Sequence, residues 1–163
     1  IYLICGEDSE KTKELMEELK TTGKYTITPE MKEKLADFAA GYSTEEETAE
    51  SIHDTYQKTG YVMDTHTAVA AHVCGQYRAK SGDQTKCVIA STASPYKFVK
   101  SVMSAIDAEN ANADEFDLLP KLQEVSGVPM PQAIKDILDA KVLHDLECDA
   151  DKMKDTVKGI LGV

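Results

Sequence analysis

Helix-start and helix-stop residues recur at short intervals along this chain of 163 residues and constrain its fold more than any other feature. Thr28 precedes Pro29 as an N-cap precedes a first-turn proline, and overlapping capping boxes begin at Ser43 and Thr44. Glycines follow the helical patterns where C-terminal caps belong: Gly23, Gly60 and Gly82. The pattern predicts helices after Asp8, from Pro29 to about Ala40, after the capping boxes, and from Asp64 or Thr65 onward.

Four further helices are predicted in the second half of the chain, one of them in a segment of helix and loop that prolines interrupt (residues 118–131). Ser94 and Pro95 repeat the pairing of N-cap and first-turn proline ahead of a helix that runs to Ile106. Apolar residues at helical spacing predict another helix: Ile134, Ile137, Leu138 and Val142. The tail after Asp149 is expected to form a last short helix.

One apolar run, Cys87 to Ala90, has the length, the β-branched residues and the polar flanks of a strand. A lone strand leaves the backbone N–H and C=O groups of both edges unpaired. A second strand could lie in residues 1–5 or 25–28, or the partner strands could belong to polypeptide outside this chain, which we favour. The predicted fold class is α/β, predominantly helical with one or a few strands, in a fragment of a larger protein.

Acidic residues outnumber basic ones, 29 Asp and Glu against 18 Lys and Arg, and the formal net charge is -11. This charge repels polyanions, so we expect no nucleic-acid partner. Arg78 is the single arginine, and bidentate phosphate clamps can therefore hardly be built from this chain alone. The apolar runs are far shorter than the roughly 20 residues of a membrane span, so we expect no membrane association and a cytoplasmic location.

The four cysteines lie far apart along the chain: Cys5, Cys74, Cys87 and Cys148. They form no C-x-x-C pair and have no histidine at metal-ligand spacing, which argues against a zinc site and a disulfide framework. The sequence therefore predicts no bound metal and reduced, mostly buried thiols.

Two segments carry residues suited to a ligand site. If Cys87–Ala90 is a strand, the hydroxyls of Ser91, Thr92 and Ser94 follow its carboxyl end, where ligands bind in α/β folds, beside a helix start. The alternative is a plain turn in which Ser94 only caps the next helix. In the second segment, His66 lies in the first turn of its helix and could meet a ligand or simply satisfy a neighbouring backbone group.

These two segments resemble the threonine synthase family. The stretch GYVMDTHTAVA (residues 60–70) is similar to the family's GY-x-x-DPHTAVA, and STASPYKF (residues 91–98) is similar to its TAHPAKF, in the same order. The likeness covers roughly Ile1 to Ile106 well and the tail more loosely. It implies the C-terminal portion of a fold-type II enzyme that uses pyridoxal 5'-phosphate. The intact family member converts O-phospho-L-homoserine and water to L-threonine and phosphate.

The resemblance also implies roles for individual residues. Thr92 matches the threonine of TAHP and is expected to face the pyridine nitrogen of the cofactor, with Ser91 and Ser94 beside it. His66 and Thr67 are expected at the substrate cleft. It implies three regions: a helical segment (1–85), a strand, loop and helix at the cofactor crevice (86–106), and a helical tail (107–163).

Two departures from the family pattern bear on this interpretation. Ser94 replaces the histidine of TAHP, and Thr65 replaces the proline of DPHT. Lys97 is not predicted to be the imine lysine because the nine glycines are scattered and form no phosphate cradle. That lysine is expected upstream of Ile1, so we expect no catalytic residue in this chain and no activity of the chain alone.

Two other interpretations remain open. The parent could be a related pyridoxal-phosphate lyase of the same fold, or the chain could be a non-catalytic helical interaction module. Self-association through the exposed edge of Cys87–Ala90 is a further possibility.

Overall fold

The computed structural model describes residues 1–163 as helices joined by turns and extended segments, with no β-strand. The α-helices are α1 (Ser9–Thr22), α2 (Pro29–Glu33), α3 (Glu45–Thr59), α4 (Thr65–Ser81), α5 (Val99–Ile106), α6 (Glu115–Ser126), α7 (Gln132–Leu138) and α8 (Met153–Leu161). Short 3-10 turns occupy Pro95–Phe98, Ala108–Asn112 and Ala150–Lys152. None of these helices is both long enough and apolar enough to span a membrane.

The predicted helix boundaries that depend on local hydrogen bonds are confirmed. Thr28 caps α2, and Thr44 and Glu47 form the capping box of α3, so the second of the two overlapping boxes is used. Asp64, rather than Thr65, caps α4. Glycines in the left-handed conformation close all four of the longest helices: Gly23, Gly60, Gly82 and Gly127.

Two separate apolar clusters hold the chain together. In the main core α5 packs against both α3 and α6, and α3 also packs against α4. Its most deeply buried residues come from all four helices: Ile52, Ala68, Val102, Leu118 and Leu122. A small N-terminal cluster consists of Ile4, Cys5 and Met31 with partly buried apolar neighbours, and shares no residue with the main core.

The predicted strand at Cys87–Ala90 is wrong. These residues are extended but have no neighbouring strand, and the backbone of residues 86–90 forms no hydrogen bond. Val88 is 87% exposed, so the apolar run covers no core of this chain. A strand exists only as part of a ladder, and because this chain supplies no partner, the fold is helical and residues 86–106 form an extended loop, a 3-10 turn and a helix.

Two helices are shorter than their sequence patterns predict. The helix expected to reach Ala40 ends at Glu33, and the one expected to include Val142 ends at Leu138. Phe38 is 75% exposed and Val142 is 80% exposed. Short helices depend on packing of an apolar face, and these two apolar side chains beyond the helix ends are mostly unpacked.

The cysteines are also less buried than predicted. Cys5 is buried, Cys74 is half-buried, and Cys87 and Cys148 are exposed, all four as free thiols. For Cys87 the difference follows from the missing strand, because this residue lies on the surface instead of inside a sheet.

Candidate functional site

Residues 82–91, which we call the return segment, follow α4 and run back along it towards its N-terminus. The Arg78 guanidinium donates to the Thr85 carbonyl at 2.7 Å, and the sulfurs of Cys74 and Cys87 lie 3.2 Å apart. At the far end, the Ser91 hydroxyl lies 3.1 Å from that of Thr67. Positions 78, 74 and 67 fall on one face of α4. The contacts along this face therefore place Ser91, and Thr92 next to it, at the N-terminal end of α4.

Asp64 is the centre of the hydrogen bonds at that helix start. Its Oδ1 accepts from the backbone N–H groups of His66 at 2.9 Å and Thr67 at 3.2 Å. Its Oδ2 accepts from the Thr67 hydroxyl and, at 3.4 Å, from the Ser91 hydroxyl. Asp64 is only 2% exposed. One buried carboxylate therefore caps α4 and also fixes the end of the return segment.

The surroundings of Asp64 favour its charged form. Burial by itself raises the pKa of a carboxyl group, but the hydrogen bonds from the Thr67 side chain and from the backbone of Thr67 and His66 outweigh it. The pKa of Asp64 is therefore lowered from its ordinary value. A charged Asp64 keeps all of these donors occupied.

His66 lies beside Asp64 on the outer side of the same helix start. Its imidazole stacks on the Phe98 ring, with centroids 5.6 Å apart and an interplanar angle of 26°. Half of the His66 side chain is exposed to an open cleft of about 310 Å³. Residues from α3, α4 and α5 and from the segments before them line the cleft: Ser43, Glu45, Thr48, Thr65, His66, Val69, Phe98 and Ser101.

The other residues predicted for the site differ in whether their hydroxyls form hydrogen bonds within the chain. The Ser94 hydroxyl accepts from the Tyr96 backbone N–H at 3.3 Å and so caps the 3-10 turn. The hydroxyls of Ser91 and Thr67 form hydrogen bonds with the Asp64 carboxylate and with each other. Thr92 is exposed, and its hydroxyl forms no hydrogen bond within the chain. Among these residues, Thr92 offers the hydroxyl available to a ligand.

Sequence reasoning missed the roles of two buried residues. Asp64 is recognisable as a helix cap, but its bond to Ser91 joins residues 27 apart in sequence and has no local signal. Tyr96 is 3% exposed, and its hydroxyl donates to the Val128 carbonyl at 2.6 Å, which links the turn after Thr92 to the loop after α6. Burial raises the pKa of Tyr96 and keeps this donor protonated.

Known proteins match most of the chain. A family model described as "Threonine synthase, C-terminal" matches residues 67–157. A protein named threonine synthase-like 1 from Homo sapiens is 30% identical over 130 residues, which cover 79% of this chain and 17% of that protein.

Two proteins named threonine synthase also match. The one from Saccharomyces cerevisiae is 32% identical over 129 residues, covering 74% of this chain and 25% of its own length. The one from Schizosaccharomyces pombe is 32% identical over 152 residues, covering 86% of this chain and 30% of its own length. The chain thus spans less than a third of these relatives. By the match over residues 67–157, the chain belongs to the threonine synthase C-terminal family.

Proposed function

We propose that this chain is the C-terminal part of a pyridoxal-phosphate enzyme that converts O-phospho-L-homoserine and water to L-threonine and phosphate. In that enzyme the chain forms one wall of the active-site cleft. The proposal rests on the fact that the chain belongs to the threonine synthase C-terminal family. The observation that carries it is the exposed Thr92 hydroxyl, which follows directly on Ser91 and its bond to buried Asp64.

The residues present fit one end of the cofactor. The pyridine nitrogen is a hydrogen-bond acceptor, and the Thr92 hydroxyl is a donor without a partner in the chain. The phosphate end has no matching cradle here, because the guanidinium of Arg78 is bonded to the Thr85 carbonyl. The first N–H groups of α4, which an anion would need, already bond to the Asp64 carboxylate. Other parts of the enzyme must hold the phosphate.

When bound, pyridoxal phosphate supplies an electron sink for carbanions that form beside the amino group of the substrate. Asp64 holds Ser91 and thereby fixes the backbone that precedes Thr92. The Thr92 hydroxyl donates a neutral hydrogen bond and, unlike a carboxylate, does not keep the ring nitrogen protonated. This moderates the strength of the sink and favours elimination and replacement over competing reactions.

The two residues of α4 act at different distances from the substrate. His66 presents its imidazole to the cleft and can donate or accept a hydrogen bond there, with its ring plane held by Phe98. Thr67 is buried and acts through Asp64, so we propose that it positions the wall of the cleft instead of meeting substrate.

Burial supports the proposal that the chain is part of a larger protein. Only 18 of its 163 residues are buried, and large apolar side chains such as Leu3, Phe38 and Val88 are mostly exposed. We propose that residues 1–163 form a single C-terminal portion whose apolar surface packs on the rest of the enzyme. The lysine that binds the cofactor and most of the groups that grip substrate phosphate lie in that remainder, so the chain alone is expected to be inactive.

The first experiment measures both products of the full-length parent supplied with O-phospho-L-homoserine. Equal release of phosphate and threonine supports the proposal. Release of phosphate without threonine indicates a related lyase of the same fold. Absence of both products in a folded parent indicates a non-catalytic interaction module and overturns the proposal.

The second experiment tests Thr92 in the same parent. Replacing Thr92 with Ala removes the hydroxyl, and we expect turnover to fall on the order of tenfold or more, the usual effect of losing a hydrogen bond to a reacting group. Thr92→Ser keeps a hydroxyl and should retain most of the turnover. The absorbance of the bound cofactor should shift in Thr92→Ala and not in Thr92→Ser. Unchanged turnover and absorbance in Thr92→Ala would remove Thr92 from the site.

A further inference from the structure

Among the four cysteines, Cys74 and Cys87 are the pair whose thiols are in contact. Cys74 lies on α4 and Cys87 in the return segment, and the Cys74 thiol donates to the Cys87 sulfur at 3.2 Å. A disulfide bond of about 2.05 Å would require an approach of roughly 1 Å. Cys87 can make this movement because the backbone of residues 86–90 has no hydrogen bonds to break.

We propose that Cys74 and Cys87 are a site of reversible oxidation, in which a small-molecule disulfide converts the two thiols into a disulfide that links the return segment to α4. This inference rests on the contact between the two sulfurs and concerns the 163-residue chain by itself, whether or not the proposed function holds. It concerns a pair that the spacing of cysteines along the sequence did not reveal.

The reaction takes place in two balanced exchanges. With oxidised glutathione as the reagent, the Cys87 thiolate attacks one sulfur and breaks the glutathione disulfide; the departing glutathione takes up the proton that Cys87 released. The Cys74 thiolate then attacks the Cys87 sulfur and displaces the second glutathione, which takes up the proton from Cys74. Two protein thiols lose two electrons in total, and one oxidised glutathione becomes two reduced ones.

The surroundings of the pair fix the order of these steps. Cys87 is exposed and meets the reagent first, while Cys74 is half-buried beneath it. The hydrogen bond to Cys87, together with burial, raises the pKa of Cys74 and keeps its proton in place until the first exchange has occurred. Arg78 lies close enough to oppose this shift in part and so helps Cys74 to ionise in the second step.

The test uses the full 163-residue chain in glutathione buffers of increasing oxidised fraction, followed by blocking of free thiols, intact-mass measurement and peptide mapping. We expect one intramolecular Cys74–Cys87 disulfide, with two thiols lost and no glutathione retained on the pair. Cys148 is an internal control because it is exposed but has no thiol neighbour. Intramolecular closure should bring the midpoint of the pair to oxidised-glutathione levels on the order of tenfold below those that modify Cys148.

Serine variants of the two cysteines test the order of the two exchanges. Cys74→Ser should trap glutathione on Cys87, and a reducing thiol should restore both the trapped species and the wild-type disulfide. Cys87→Ser should leave Cys74 slower to react than Cys87 is in Cys74→Ser, and the reverse order would overturn the sequence of steps. Separate glutathione adducts on Cys74 and Cys87 in the wild-type chain, or no modification of either while Cys148 reacts, would overturn the proposal.

Discussion

Asp64 combines two tasks that are usually divided between residues. As an N-cap it satisfies backbone N–H groups at the start of α4, and its second oxygen bonds to the hydroxyls of Thr67 and Ser91. Because Asp64 is buried, any donor left without its partner stays away from water and costs free energy. Asp8 provides a matched comparison, since it caps α1 in the same way but is exposed.

We expect Asp64→Asn to lower the free energy of unfolding by about 1–2 kcal/mol, because the amide nitrogen would face hydroxyls that now donate to an oxygen. Asp8→Asn should have a much smaller effect, since asparagine caps a helix about as well as aspartate does. Urea denaturation of the two variants at neutral pH provides the comparison. Equal losses would mean that the second oxygen of Asp64 contributes nothing.

The pH dependence of stability in wild type and Asp64→Asn tests whether Asp64 is charged. The pKa of Asp64 is lowered in the folded chain, so its charge contributes stability above the unfolded value of about 3.9. That contribution is lost as the pH falls through the lower, folded value. The difference between wild type and Asp64→Asn should therefore shrink in acid below about pH 4. A difference that stays constant from pH 7 to pH 3 would contradict the assignment of a charged Asp64.

At the scale of elements, the parts of the fold that were predictable from sequence are those decided by local hydrogen bonds. The start of α3 at Thr44 and its end at Gly60 follow from a capping box and a left-handed glycine, both readable from neighbouring residues. The state of Cys87–Ala90 depends on partners that a local pattern cannot supply, and so does the length of α2. For the site, resemblance selected His66 and Thr92, but the link through Asp64 required the three-dimensional contact.

Two glycines on neighbouring helices should respond in opposite directions to the same substitution. Gly60 closes α3 at a φ of +73°, and Gly75 lies inside α4; a Cβ added to either would meet no neighbouring atom. Gly60→Ala should destabilise the chain by about 1 kcal/mol because alanine disfavours the left-handed region. Gly75→Ala should stabilise it by up to about 1 kcal/mol through helix propensity.

Thermal unfolding of the two glycine variants beside wild type measures both effects. Because neither site is crowded, the sign reports backbone conformation alone. Changes of the same sign in both variants would show that packing, not conformation, decides the outcome.

Because the two apolar clusters are separate, we expect the two parts of the molecule to differ in local stability. The N-terminal cluster around Met31 is small, whereas the main core joins α3, α4, α5 and α6. Helices α1 and α2 have few contacts with the helices of the main core. The first 35 residues or so should therefore open at a lower free energy than the rest of the chain.

Matched truncations in the two clusters test this division. Met31 is 2% exposed and Leu122 is fully buried, so replacing either with Ala should cost about 2–5 kcal/mol in its own cluster. In hydrogen–deuterium exchange, Met31→Ala should accelerate exchange in α1 and α2 and leave α3 to α6 unchanged. Leu122→Ala should accelerate exchange in α3 to α6. A uniform acceleration in both variants would indicate one cooperative unit.

The contacts of the return segment also bear on how the sequence can vary. Between Cys74 and Thr67 the helix rises about 10.5 Å, and the chain from Cys87 to Ser91 can span at most about 13 Å, which leaves less than one residue of slack. Inserting or deleting one residue between Cys87 and Ser91 would displace the serine by about 3.3 Å, beyond reach of its two partners. Substitutions at the exposed positions 88 and 89 change neither span. Selection on this stretch should therefore act on the number of its residues, in addition to the identity of the side chains that pack on the rest of the enzyme.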